Sequence, residues 1–145
     1  MTNELLWILI WLLIALVCAL AFLRGSAPEK WGAAIILAGA VYGFVLNWLH
    51  LDAIHSLLQL AGEGAIGLGF LMLALRYTSA WLGGAMILQA VQFSLHAYYL
   101  IAAKPHDYLY ALVNNVDTLA VLACLLTGTL IAWRRAGMNR PTAAR

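Results

Sequence analysis

Residues 5–23 read LLWILIWLLIALVCALAFL, a run of 19 without a charge. As an α-helix this run rises about 28 Å, close to the ~30 Å hydrocarbon core of a bilayer. Four further runs follow it: Trp31–Leu49, Ile54–Leu75, Ala80–Ala103 and Leu109–Trp133. The third holds Glu63, the fourth His96 and the fifth Asp117. The links between runs are too short for a soluble domain, so neighbouring helices are expected to alternate in direction. The expected fold is an all-α integral membrane protein. It is a single domain over 1–145, a bundle of five transmembrane helices, with a basic tail at 134–145.

Composition supports this reading. Hydrophobic residues make up 65 % of the 145 residues and charged residues 10 %, with a mean hydropathy of +0.90. A soluble domain averages about 25 % charged residues, and a disordered chain has far less apolar content. The net charge of +2 excludes a nucleic-acid binder that works by phosphate neutralisation. Cys18 and Cys124 lie inside apolar runs and form no metal-binding or redox motif.

Charge asymmetry orients the helices. With five spans and the N-terminus outside, Arg24, Lys30, Arg76, Arg134, Arg135, Arg140 and Arg145 fall on the cytoplasmic side, against Lys104 alone outside. The flank of the first run carries no positive charge before it, so a cleaved signal peptide is not expected. The pattern suits a bacterial cytoplasmic (inner) membrane. Trp31, Trp48, Trp81, Tyr108, Tyr110 and Trp133 lie near span ends, where aromatic anchors collect.

Polar residues inside the runs mark inward faces, because hydrocarbon penalises them. In the second run Gly32, Gly39, Gly43, Asn47 and His50 share a face, and Gly39/Gly43 form a small-xxx-small pair that permits close helix approach. In the third, Ser56, Gln59, Glu63 and Gly67 share one face. Ala61, Ala65 and Gly69 share a nearly opposite one, which predicts a central helix with packing partners on both sides. In the fourth, Ala85, Gln89, Gln92, His96 and Tyr99 align; in the fifth, Tyr110, Asn114, Asp117, Cys124 and Gly128 do so. The first run has no polar stripe and is expected at the periphery.

Glu63, His96 and Asp117 each lie roughly 10–14 Å from the outer ends of their helices. They are expected to form a polar intramembrane layer with Gln59, Gln92 and Asn114. His50, Asp52, His55, His106 and Asp107 are expected at the outer rim. Their spacing does not impose a metal site, and no metal, haem or other cofactor is expected. No catalytic motif is visible, so an enzyme is not expected. Five spans and abundant Trp give an architecture that resembles the tryptophan-rich sensory proteins, a family of membrane tetrapyrrole binders. That family's Trp- and Pro-rich segments are absent, and no residue role carries over. The leading expectation is an accessory, assembly or interaction subunit of a larger membrane complex. Its partners would be the lipid bilayer and other membrane subunits or a second copy, not nucleic acid. The alternative is a small proton or cation transporter, channel or sensor built on the Glu63–His96–Asp117 layer.

Overall fold

A computed structural model describes residues 2–49, 54–105 and 107–138 of the chain. Five helices account for nearly all of them: α1 (Thr2–Arg24), α2 (Ala27–Trp48), α3 (His55–Arg76), α4 (Ala80–Ile101) and α5 (Tyr108–Met138). No strand occurs among the described residues. α1, α2, α3 and α5 are long and apolar enough to cross a membrane. α4 matches α2 and α3 in length but is not among them, and it carries Gln89, Gln92 and His96. Two of these, Gln89 and His96, are buried in the bundle. Its polarity is therefore turned away from the surroundings. α5 runs five residues beyond Trp133 into the segment expected as tail.

The helices form a ring in chain order. Each packs on its neighbour, α5 closes against α1, and α2 also touches α5 across the middle. This corrects one expectation. α3 is not central: it packs only on α2 and α4, while α5 meets three helices and α2 meets three. α1 lies at the periphery as expected, packed on α2 and α5. Ile10, Ile14, Val17, Cys18 and Ala21 form a buried face along it. That face is apolar like the exposed one, so no polar residue marks it.

At the end bearing Arg24, Arg76, Arg134 and Arg135 the helices close on Trp81, beside a cleft of about 860 Å³ lined by Glu29, Arg76, Trp81, Gly128 and Arg135. Gly32 of α2 and Gly128 of α5 both abut the indole of Trp81, leaving no room for a side chain at either glycine. Phe70 packs edge-on against the same indole, with ring centroids 6.5 Å apart. The indole Nε1 donates to Glu29 Oε1 at 2.9 Å. Glu29 also accepts from the backbone N–H and hydroxyl of Ser26, where α2 begins. Ser26-Ala27-Pro28-Glu29 is a helix-start sequence, with Pro in the first turn and Glu three residues after Ser. Trp81 was expected as an interface anchor; instead it is a buried wedge. Tyr110 is likewise buried, whereas Trp31, Trp48, Tyr108 and Trp133 are exposed. Arg24 lies 4.6 Å over the Trp133 ring and ties the end of α1 to α5.

The α2–α3 seam uses glycines as holes. Ile35 fills the space at Gly69, Ile66 that at Gly39, and the Tyr42 ring that at Gly62. The expected packing pair is thus only half realised. Gly39 sits against Ile66, but a side chain at Gly43 would meet nothing within 4 Å. Ala61 and Ala65 are exposed and line an external groove beside Ala38 and Tyr42 instead of a helix contact. The hydroxyls of Ser94, Thr118, Thr127 and Thr129 bond the carbonyl four residues back, which satisfies them within their own helices.

Candidate functional site

Toward the opposite end lie the intramembrane polar side chains and a second, smaller cavity. This cavity of about 510 Å³ lies among the five helices, between the Phe70–Leu122 level and the ends marked by Trp7, Asn47 and Gln59. Its two walls differ in chemistry. α3, α4 and α5 contribute Gln59, Glu63, Gln89, Gln92, Asn114 and Asn115. α1 and α2 contribute Trp7, Trp11, Ile14, Ile36 and Phe44, with Phe70 at the bottom. Trp11 and Phe44 meet edge to face, centroids 6.0 Å apart, which makes an aromatic corner opposite the amides.

Glu63 is the charged centre of the polar wall. Its Oε2 accepts from Gln89 Nε2 and its Oε1 from Gln92 Nε2 at 3.2 Å. Gln92 Nε2 also donates to Asn114 Oδ1 at 3.1 Å, so one glutamine links α3, α4 and α5. The α4 spacing Gln89, Gln92, His96 places all three on the side facing α3 and α5. Gln89 and His96 are each only 4 % exposed, and such groups are stable inside a bundle only when paired. His96 stands behind Glu63, its Nδ1 3.8 Å from Glu63 Oε1. Glu63 keeps some accessible side-chain surface and lines the cavity, whereas His96 does not line it.

The network continues toward the helix ends. Gln59 Nε2 lies 3.2 Å from His96 Nε2 and donates to the Tyr110 hydroxyl at 3.1 Å. The Tyr110 ring packs on both His96 and Tyr99, with centroids 5.3 and 5.0 Å away. The Tyr99 hydroxyl donates to Asp107 Oδ1 at 2.7 Å, and the Tyr110 backbone N–H bonds the same oxygen at 2.9 Å. Asp107 therefore occupies the N-cap position of α5. The Tyr99 hydroxyl and the Tyr110 N–H together hold its carboxyl below the usual carboxylate range. Hydrogen bonds and ring contacts thus connect the exposed Asp107 through Tyr99, Tyr110 and Gln59 to His96, which stands 3.8 Å from Glu63.

Of the expected layer, Glu63, His96, Gln59, Gln92 and Asn114 come together. Asp117 is buried at the same depth and within electrostatic reach of Glu63. It neither lines the cavity nor bonds to the others, and its Oδ2 has no hydrogen-bond partner among the described residues. Of the expected rim, His55 begins α3 and Asp107 precedes α5. His50, Asp52 and His106 lie outside the described residues. No group of three metal-ligating side chains converges among the described residues. Several contributors were not assigned to the site from sequence: Asn115 and Thr118, Trp7 and Trp11 of the opposite wall, and the Ser26–Glu29–Trp81 contact at the other end. Only the last had a local signal, the Ser-x-x-Glu spacing.

Comparisons with protein-family models, with curated proteins and with solved structures returned no match for this chain.

Proposed function

We propose that this chain is a five-span membrane protein, N-terminus outside and C-terminus cytoplasmic, that senses or carries protons and cations through Glu63. The orientation rests on the seven-to-one distribution of Lys and Arg. A bacterial inner membrane suits the same pattern. In that orientation the cavity lies in the outer half of the bilayer.

The observation that carries this reading is the placement of Glu63 between His96 and the cavity. A protonated His96 would pair with the carboxylate from behind; a cation in the cavity would pair with it from in front. One negative charge cannot fully satisfy both, so proton and cation occupancy oppose each other. The titratable groups around Glu63 are His96 on α4 and Tyr110 and Asp117 on α5; α3 adds the neutral Gln59. The cavity-lining residues of α1 and α2 are not titratable. An ionisable residue within a transmembrane bundle marks a functional site by default.

The test is flux in proteoliposomes with an entrapped pH dye. Proton movement driven by a cation gradient, above that of empty vesicles and lost in a folded Glu63→Gln variant, is expected. Wild-type vesicles no more permeable than empty ones would remove the transport arm and leave sensing. A second reading, an accessory subunit, is favoured by the α2–α3 groove, where Ala38, Ala61 and Ala65 present small side chains outward. Such a surface admits close approach of another transmembrane helix. Its test is the set of chains that co-purify in mild detergent.

A further inference from the structure

We infer that the cavity beside Glu63 binds a monovalent organic cation with an apolar or aromatic body. This rests on the reading of Glu63 as a cation-handling carboxylate and names the class of ligand it takes.

Three features specify that class. The first is charge. Glu63 is the ionisable residue of the lining, and no lysine or arginine lines the cavity among the described residues. Asp117 adds a second acidic group within electrostatic reach of Glu63. An anion would meet uncompensated acidic groups in a poorly hydrated space. Where His96 Nε2 accepts from Gln59 Nε2, 3.2 Å away, the imidazole is neutral. The carboxylate is then not neutralised from behind.

The second feature is acceptor capacity. A carboxylate offers about four lone-pair directions. Gln89 and Gln92 use one on each oxygen. The remaining ones can receive an ammonium, while the two amides keep the carboxylate oriented when the site is empty.

The third is the opposite wall. Trp7, Trp11 and Phe44 offer aromatic faces and edges, and Ile14 and Ile36 add aliphatic surface. Aromatic rings attract cations, more strongly where water is excluded, and the aliphatic surface takes the ligand's body. A bare inorganic ion would engage the carboxylate and amides but none of the aromatic and aliphatic wall. Cavities of about 300–1,000 Å³ with an apolar lining and a few convergent polar groups are the common form of small-molecule sites.

Tetraphenylphosphonium and tetraphenylborate have the same shape and opposite charge, so they separate charge recognition from partitioning. Binding is measured by equilibrium dialysis on the full chain in phosphatidylcholine nanodiscs, with empty nanodiscs subtracted. Saturable phosphonium binding is expected, with tetraphenylborate at the level of empty discs. Glu63→Gln should weaken phosphonium binding on the order of tenfold or more. Gly43→Phe should abolish it by filling the cavity from a position with open space in front of it. This variant tests the site even if Glu63→Gln does not fold. The inference is overturned by any of three results: no saturable phosphonium binding to wild type, equal binding of the borate, or wild-type affinity in either folded variant. Phosphonium binding without flux would leave the site standing and remove transport. Flux without phosphonium binding would remove this inference alone.

Discussion

His96 Nδ1 lies 3.8 Å from Glu63 Oε1, on the side of the carboxylate away from the cavity. That separation is within ion-pair range and longer than a hydrogen bond. Neither residue is held there by the other alone. Gln59 fixes the far nitrogen of the imidazole, and Gln89 and Gln92 fix the carboxylate. The pair is therefore preorganised by amides from α3 and α4.

The amide support has an energetic signature. Gln89→Leu leaves Glu63 Oε2 without its donor and Gln92 alone on Oε1, which should destabilise the protein by about 1–3 kcal/mol. Replacing both residues, Glu63→Leu with Gln89→Leu, should cost less than the single change. Unfolding in detergent measures both variants. A double variant less stable than the Gln89→Leu single would show that the pair contributes net stability.

The two glycines of α2 should behave differently. Gly39→Leu drives a side chain into Ile66 and should destabilise by roughly 1–3 kcal/mol of overpacking. Gly43→Leu enters the cavity and should leave thermal stability within experimental scatter. Equal losses at both positions would mean that α2 and α3 also close at Gly43.

Trp81 should be the most sensitive residue at the arginine end. Trp81→Ala empties the space between Gly32 and Gly128 and removes the Glu29 donor, a loss of about 3–5 kcal/mol. Trp81→Phe keeps much of the volume and should lose less. Chemical denaturation that ranked the two variants equally would assign the wedge a minor role.

These contrasts also mark what could be read from the chain. Five apolar runs specify five helices, and the 89–92–96–99 spacing on α4 correctly places its amides and His96 inward. Side-chain polarity was informative there because lipid excludes it. The apolar face of α1 was not legible, since Ile10 and Ile14 are as compatible with lipid as with a neighbouring helix. Small residues misled for the same reason. Gly39 and Gly69 are filled by isoleucines, while Ala61 and Ala65 face outward, and nothing local separates the two cases. The cavity depends on what five helices together leave unfilled, so it has no signature in any one of them.

The Asp107 cap should depend on pH. Its carboxyl lies below the usual range because the Tyr99 hydroxyl and the Tyr110 N–H bond it. A lowered folded-state value means that the contribution is complete above the ordinary carboxylate range. It is lost as pH falls through the lowered value. Amide exchange at Tyr110 should therefore accelerate in acid in the wild type beyond its intrinsic trend. In Asp107→Asn, which keeps an N-cap acceptor that does not titrate, it should not. Identical profiles would show that Asp107 does not cap α5.

Orientation is tested by single cysteines in a Cys18→Ser, Cys124→Ser background. Ser26→Cys and Ser79→Cys should be shielded from an impermeant reagent added outside intact cells, and Asp107→Cys should react. Outside labelling at Ser79 but not at Asp107 would contradict the five-span topology.

The central claim is that Glu63 answers to protons and cations arriving from the outer side. Infrared difference spectroscopy on oriented proteoliposomes reads this at the carboxyl itself, with the Glu63 band assigned by its absence in Glu63→Gln. The account predicts that changing the outside pH with the inside held constant alters that band, and that tetraphenylphosphonium, which crosses the bilayer, alters it as well. It also predicts that His96→Ala changes the pH response. A Glu63 band that stays fixed under both changes, in a protein whose fold is intact, would contradict it.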